Sequence, residues 1–224
     1  LVLSELLVKL LMVKFLLKKR SHSMPRGVVD VDGIQSPEMQ ALKNKTTPDD
    51  LPFNITKIGH VVLRCQDIEK SVAFYTDILG FRVSDVYPDS MIHGKMVFMR
   101  CNNDHHGVAL VGGVNQPSKN IEMHHMAFEV DTLDEVLRAR EHLRKNNINI
   151  QFEGRRRAGV QIAVEFLDPD GHWLEIFWGL DQVSPTSEAR PPEEWAEEFS
   201  LEEAIDNAPP GQDTRLADVS LKKS

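Results

Sequence analysis

Two histidines at matching places in a repeated phrase, with a carboxylate further along, are the residues of this chain best suited to chemistry. Gly59-His60-Val61-Val62-Leu63-Arg64 recurs as His124-His125-Met126-Ala127-Phe128-Glu129, and each copy is followed by a residue able to cap an amphipathic helix. A duplicated unit sets two imidazoles in related positions across a pseudo-twofold axis, where they can share a metal. A third candidate ligand, Glu175, ends the phrase Asp168-Pro169-Asp170-Gly171-His172-Trp173-Leu174-Glu175, in which a tight turn feeds a short apolar strand. A carboxylate amid Leu174, Ile176, Phe177 and Trp178 is costly to bury without a cation or a full set of hydrogen bonds. Two histidines and one carboxylate make the open-sided triad favoured by non-haem Fe(II), and Mn(II) can take the same set.

Strand side chains alternate faces, so only one member of the pair His124-His125 can point at such a site. His125 aligns with His60, each followed by two apolar residues and then Leu63 or Phe128. His125 is therefore expected to face inward and His124 the opposite side. Superposing the repeats puts Ala109 or Leu110 opposite Glu175, depending on a one-residue choice, and neither can bind a metal.

The elements that must carry these residues follow an order that occurs twice. A first module, residues 55–115, starts with a strand from about Lys57 to Cys65. Asp67 then caps a helix with Ile68, Val72, Tyr75 and Leu79 at helical spacing, and Gly80 closes it. Strands follow at Phe81 to Tyr87, Lys95 to Cys101 and His106 to Val111. A second module, residues 120–180, has a strand from Met123 to Val130, a capping box of Thr132 and Glu135, a helix ended by Asn146-Asn147, and strands at Ile148 to Phe152, Val160 to Leu167 and Trp173 to Trp178. The fold class is α+β: two tandem βαβββ modules forming a cupped mixed sheet around a central metal site.

Outside the modules, residues 1–23 read as an upstream or non-native extension, with Met24 as the native start. A basic amphipathic targeting or anchoring helix is the alternative. Residues 24–54 read as a polar N-terminal arm. Residues 181–224 read as an acidic, Pro-rich tail with one short helix around Glu193 to Ile205, whose Trp195 and Phe199 should pack on this subunit or a neighbour.

The 224 residues are 41% hydrophobic, enough for one well-packed domain or two small ones around a common core. A net charge of −8 argues against a nucleic-acid binder, which needs clustered cations to displace counterions. The two cysteines, Cys65 and Cys101, make no CxxC pair, so a disulfide framework or zinc ribbon is not indicated and a reducing cytoplasm fits best. No membrane association is expected, and a homo-oligomer is.

Paired βαβββ modules with His60, His125 and Glu175, together with Phe74-Tyr75-Thr76-Asp77-Ile78-Leu79-Gly80-Phe81 and Asp168-Pro169-Asp170-Gly171, resemble the vicinal oxygen chelate superfamily over about Ile55 to Gly179. The glyoxalase-like isomerases of that superfamily complete a four-residue ligand set, which this chain lacks. The resemblance therefore points to the type I extradiol dioxygenases: Fe(II)-dependent, binding a small vicinal-diol aromatic through two oxygens and inserting O2. It places His106, ahead of Gly107-Val108-Ala109-Leu110, as the acid/base. Two rivals are another metal-dependent enzyme of this scaffold, such as an isomerase, lyase or thiol transferase, and a metal-free small-molecule-binding protein. Where the extradiol pattern carries a His and then a Tyr near the substrate, this chain has Arg155-Arg156-Arg157 and Glu165. Those four are candidate substrate-binding residues. An arginine facing the pocket would favour a carboxylated diol; otherwise the run is a solvated turn.

Overall fold

The computed structural model describes residues 27–46, 52, 55–184 and 188–223. They fall into two separate units divided between Asn44 and Lys45. In the first, where a polar arm is expected, Asp30 caps a short helix α1 (Val31–Ile34) and Ser36 caps α2 (Pro37–Lys43), with Pro37 at the position where its missing N–H costs nothing. The expected extension, residues 1–23, and Met24 lie outside the described residues.

The second unit holds both modules. The first comprises β1 (Val61–Arg64), α3 (Ile68–Ala73), β2 (Arg82–Tyr87), β3 (Met96–Arg100) and β4 (Val108–Val111). The second comprises β5 (Met126–Glu129), α4 (Leu133–Lys145), β6 (Ile150–Arg155), β7 (Ile162–Leu167) and β8 (Trp173–Trp178). Each builds a four-stranded mixed sheet, in the order β1-β4-β3-β2 or β5-β8-β7-β6, with one parallel pair closing each crossover. The repeat extends to an irregularity: the register of β2 on β3 slips between Val83 and Asp85, and that of β6 on β7 between Ile150 and Phe152. These bulges oppose Phe98 and Glu165, which are equivalent positions.

The helix signals read from the sequence are present. Asp67 accepts from Lys70 N, and Thr132 and Glu135 form a reciprocal capping box. After Ala73 the first helix widens into a π-turn over Phe74–Ile78, and Gly80 at φ +73° turns the chain into β2. Asn147 at φ +58° does the same after α4. Strand starts are less extended than expected: β1 begins only at Val61 and β5 only at Met126, leaving His60 and His125 in the approaches to the strands.

One hydrophobic core runs through both modules. Val97, Met99, Val108 and Leu110 on one sheet, and Ile162, Val164, Phe166 and Leu174 on the other, alternate toward the helices and join Tyr75, Val136, Leu137 and Leu143. The other face carries His60, Phe98, Ala109, His125, Glu165 and Glu175. Beyond Gly179 the expected single helix is a 3-10 turn (Pro192–Glu194) and a helix α5 (Leu201–Asp206) that buries Leu201 and Ala204 against β6 and β7. Gly154 admits this crossing, because a Cβ there would collide with the carbonyl of Glu198. No helix among the described residues is long and apolar enough to cross a membrane.

The two modules are joined at the β7–β8 turn. Asp168 Oδ1 accepts from the amides of Asp170 and His172, both at 2.9 Å, while Oδ2 takes His172 Nδ1 at 2.8 Å and the Tyr75 hydroxyl at 3.2 Å. Asp170 reaches into the first module, accepting from Gln66 N at 2.6 Å and from the Ser71 hydroxyl. All three acidic and imidazole side chains are buried. Removing the Asp170 carboxylate by Asp170→Ala orphans these donors and should cost about 1.5–3 kcal/mol, the range for hydrogen bonds to a charged group, read by urea unfolding.

The same turn sets a pH dependence. Burial lowers the His172 pKa, but the Asp168 hydrogen bond and the charges of Asp168 and Asp170 more than reverse this, so it lies above the ordinary value of 6.5. A folded-state pKa above the unfolded one gives stability that is full below about pH 6.5 and is lost as pH rises through the folded-state value. Stability should decline over that window in the wild type and more weakly in His172→Gln; parallel profiles would refute the assignment.

Candidate metal centre

Glu175 sits on β8, directly opposite Glu165 of β7, and is 1% exposed. Its Oε2 lies 3.2 Å from His125 Nε2, while Oε1 is buried without a hydrogen-bond partner. Glu165 gives one oxygen to Arg156 Nε at 2.7 Å, and its other oxygen is likewise buried and unpartnered. Two adjacent carboxylates, each with an open oxygen, call for a proton or a cation. Burial first, and then the Glu165 charge, push the Glu175 pKa up to about 7, against the opposing pull of Gln161 and Arg156. Burial, and after it the neighbouring His124, lowers the pKa of His125, with Arg156 adding to the effect against Glu165. This favours the neutral imidazole that a metal requires.

The register between strands settles the choice left open by the sequence. His60 and His125 each precede by two residues the partner of a β4 or β8 position, Val62↔Ala109 and Ala127↔Glu175. Ala109 is therefore the counterpart of Glu175, and the first module offers no fourth ligand there. His60 and His125 both line a cleft of about 690 Å³ between the modules, with Ile58, Phe81, Met126, Phe128 and Phe177 among its apolar walls. The His60 ring packs on that of His106, centroids 4.6 Å apart, and His106 packs edge-on against Phe98 at 5.0 Å. The His106 pKa is lowered, by burial and then by His60 and His105.

The candidate ligands thus stand in two groups, His125 with Glu175 and His60 with His106. Among the described residues no three His, Cys, Asp or Glu side chains already converge closely enough to hold an ion. The donor types fit a divalent cation, and the open Oε1 of Glu175 supplies the position one would fill.

Three expectations need correction. His124 does not turn away from the Glu175 face. Its ring stacks on Trp173, two residues before Glu175 on β8, and its Nδ1 lies 2.8 Å from that of His125. Both histidines precede β5, so strand alternation does not separate them. Arg155 belongs to β6 rather than to a turn, and it is wholly buried. It donates to Gln212 Oε1 at 3.1 Å and to the carbonyls of Asn207 at 2.9 Å and Ala204, which ties down the tail and leaves nothing for a substrate. Arg156 lies over the Phe152 ring on its way to Glu165, and Arg157 Nη2 pairs with Glu197 at 2.6 Å. These two already hold carboxylates of the chain, which weakens the basis for a carboxylate clamp, although Arg157 Nε is buried without a hydrogen-bond partner. Glu197, a nearly buried carboxylate brought in by the tail, escaped the sequence reading because nothing local distinguishes it from the acidic residues around it.

An ion binding at Glu175 must displace a proton from a carboxyl whose pKa is about 7. Titrating Mn(II) at pH 6 in buffers of different ionisation enthalpy should show about one proton fewer released by Glu175→Gln than by the wild type, and His125→Ala should bind the ion far more weakly. Wild-type affinity in both variants would place the ion elsewhere.

The sequence has counterparts among known proteins. Residues 57–176 match the model of the Glyoxalase/Bleomycin resistance protein/Dioxygenase superfamily. The chain is 31% identical over 129 residues to a biphenyl-2,3-diol 1,2-dioxygenase of Metapseudomonas furukawaii, a match covering 56% of this chain and 41% of that protein. It is 32% identical over 135 residues to a 1,2-dihydroxynaphthalene dioxygenase of Sphingobium xenophagum, covering 58% and 44%. A manganese-dependent 2,3-dihydroxybiphenyl 1,2-dioxygenase of Geobacillus genomosp. 3 is 28% identical over 131 residues, covering 57% and 38%. The match spans about two fifths of the length of these relatives. With more than half of its residues inside the family model, the chain belongs to the glyoxalase, bleomycin resistance protein and dioxygenase superfamily, also called vicinal oxygen chelate.

Proposed function

We propose that this chain carries the metal centre of an extradiol-type dioxygenase, which inserts O2 into a vicinal-diol aromatic. The observation that carries the reading is the buried Glu175 carboxylate, in contact with His125 and with one oxygen unpartnered, beside a cleft that also presents His60. His60, His125 and Glu175 would hold Fe(II), or Mn(II), which the same ligands accept and which the name of one relative specifies. When bound, such an ion would gather both diol oxygens and O2 at one centre, with the diol itself supplying the electrons. A three-ligand set with Ala109 in the fourth place keeps coordination positions open for those oxygens, and this favours the dioxygenase over an isomerase.

The protein's own contribution is to bind the ring, exclude water and handle a proton. His106, whose ring packs on that of His60, would take a proton from a diol hydroxyl and return it to the product. Its lowered pKa keeps it neutral, and so able to accept, near pH 7. Ile58, Phe81, Phe128 and Phe177 offer an apolar wall, and about 690 Å³ is ample for a two-ring diol of the kind named in the relatives. With Arg155 tied to the tail and Arg156 and Arg157 each paired with a carboxylate of the chain, an uncarboxylated diol is the expected better substrate.

The protein reconstituted anaerobically with Fe(II) or Mn(II) should consume O2 with 2,3-dihydroxybiphenyl faster than with 3,4-dihydroxybenzoate. His106→Phe should keep its metal and lose about 10²–10⁴-fold in kcat. An oxygen electrode measures both, and absence of uptake with every diol tried in metal-loaded protein would overturn the proposal.

A further inference from the structure

His106 is not isolated on the first module. Its Nδ1 lies 3.0 Å from Nδ1 of His105, and Nε2 of His105 lies 2.9 Å from Oδ2 of Asp85. Asp85 reaches this place because of the bulge in β2. The slip after Val83 advances Asp85 to stand opposite Phe98, whose ring lies 6.0 Å from His105 and 5.0 Å from His106. At the equivalent bulge of the second module, Phe152 stands opposite Glu165. The bulge is thus shared by both modules, and its use to bring a carboxylate to a histidine pair belongs to the first alone.

The chain of contacts determines where the protons sit. An ionised carboxylate only accepts, so the Nε2 of His105 is the donor to Asp85. In neutral His105 the proton on Nε2 leaves Nδ1 as a bare acceptor, and the Nδ1 of His106 must then be the donor across the 3.0 Å contact. A neutral His106 protonated on Nδ1 presents a free lone pair on Nε2. This is the tautomer that a base needs, fixed two hydrogen bonds away.

We propose that Asp85 and His105 are positioning residues that hold His106 in its Nδ1–H tautomer, leaving Nε2 free to accept the substrate proton. The inference rests on the acid/base role given to His106 above, but the tautomer itself can be read without turnover. Asp85 and His105 are largely exposed, at 66% and 56% of their side chains, so substitutions there leave the core untouched.

The test is a ¹⁵N-histidine spectrum of the full chain at pH 8.5, with and without one equivalent of diamagnetic Zn(II). The wild type should show His105 protonated on Nε2 and His106 on Nδ1. Asp85→Asn, whose amide oxygen accepts the same N–H, should keep that pattern. Asp85→Ala and His105→Phe should release His106 toward the Nε2–H form, and in protein reconstituted with Fe(II) should lower kcat about tenfold with KM unchanged. Wild-type His106 protonated on Nε2, tautomers unmoved in both variants, or wild-type kcat in Asp85→Ala would each overturn the proposal. If the tautomers follow the chain while no diol drives O2 uptake, the positioning of His106 stands and the dioxygenase reading falls.

Discussion

The hydrogen bonds accepted by Asp168 and Asp170 hold the two modules in one relation, and the site depends on that relation. The turn that carries these residues begins β8, so the side chains that grip Tyr75, Ser71 and Gln66 of the first module also fix the strand that bears Glu175. The inter-module linker joins the same knot. Ser118 N donates to the Asp170 carbonyl at 2.8 Å, Asn120 Nδ2 to the Gly171 carbonyl at 2.8 Å, and Trp173 N to Asn120 Oδ1 at 3.2 Å. A buried group of this knot that loses its partner bears the desolvation cost without the bond, so the contacts support one another. The heads of β1 and β5, with His60 and His125, line one cleft as a result.

Within that frame the two modules have diverged by exchanging charged for apolar side chains at equivalent positions. Glu175 corresponds to Ala109, and Glu165 to Phe98. The second module buries carboxylates and arginines and leaves one oxygen each of Glu165 and Glu175 without a hydrogen-bond partner. The first surrounds its histidines with Phe98 and with Tyr87, 4.9 Å from Phe98. The tail reinforces the asymmetry. It covers the β6 edge of the second module, where Arg140 of α4 meets Glu202 of α5 at 2.7 Å and Glu197 reaches Arg157. The matching β2 edge keeps Val83, Val86 and Tyr87 exposed.

What the sequence discloses is whatever local chemistry decides. The capping box at Thr132 and Glu135, the positive-φ closures at Gly80 and Asn147, and the strand Trp173–Trp178 depend on residues within a turn or two, and all are legible. The pairing of His125 with Glu175 is legible for a different reason: duplication supplies an internal alignment, and a carboxylate in an apolar strand announces a partner. His124 misleads because alternation holds only inside a paired strand, and β5 starts one residue after His125. The arginine run misleads because the partners of Arg155 and Arg157, namely Gln212, Glu197 and the carbonyls of Ala204 and Asn207, lie some 40 to 57 residues away in a tail without a pattern of its own. The bulges, which need both strands to be seen, leave no mark on either strand alone.

The arginines then acquire a meaning different from substrate capture. A single buried carboxylate ligand would suffice to bind a cation, yet β7 sets a second one directly opposite it. Left alone, Glu165 would compete for the ion and, by like-charge repulsion, hold Glu175 protonated. Arg156 occupies one oxygen of Glu165 and is itself steadied by the Phe152 ring, while Glu197 lies 3.7 Å from its other arm. The pair biases the choice between the two carboxylates: Glu165 is directed toward the guanidinium, and Glu175 toward His125 and the open side. Charge selection of this kind would favour Glu175 as the anionic ligand of the proposed centre, although the second oxygen of Glu165 is also buried without a partner. In the dioxygenase proposed above, a second carboxylate on an ion would take a position that the diol oxygens and O2 would need.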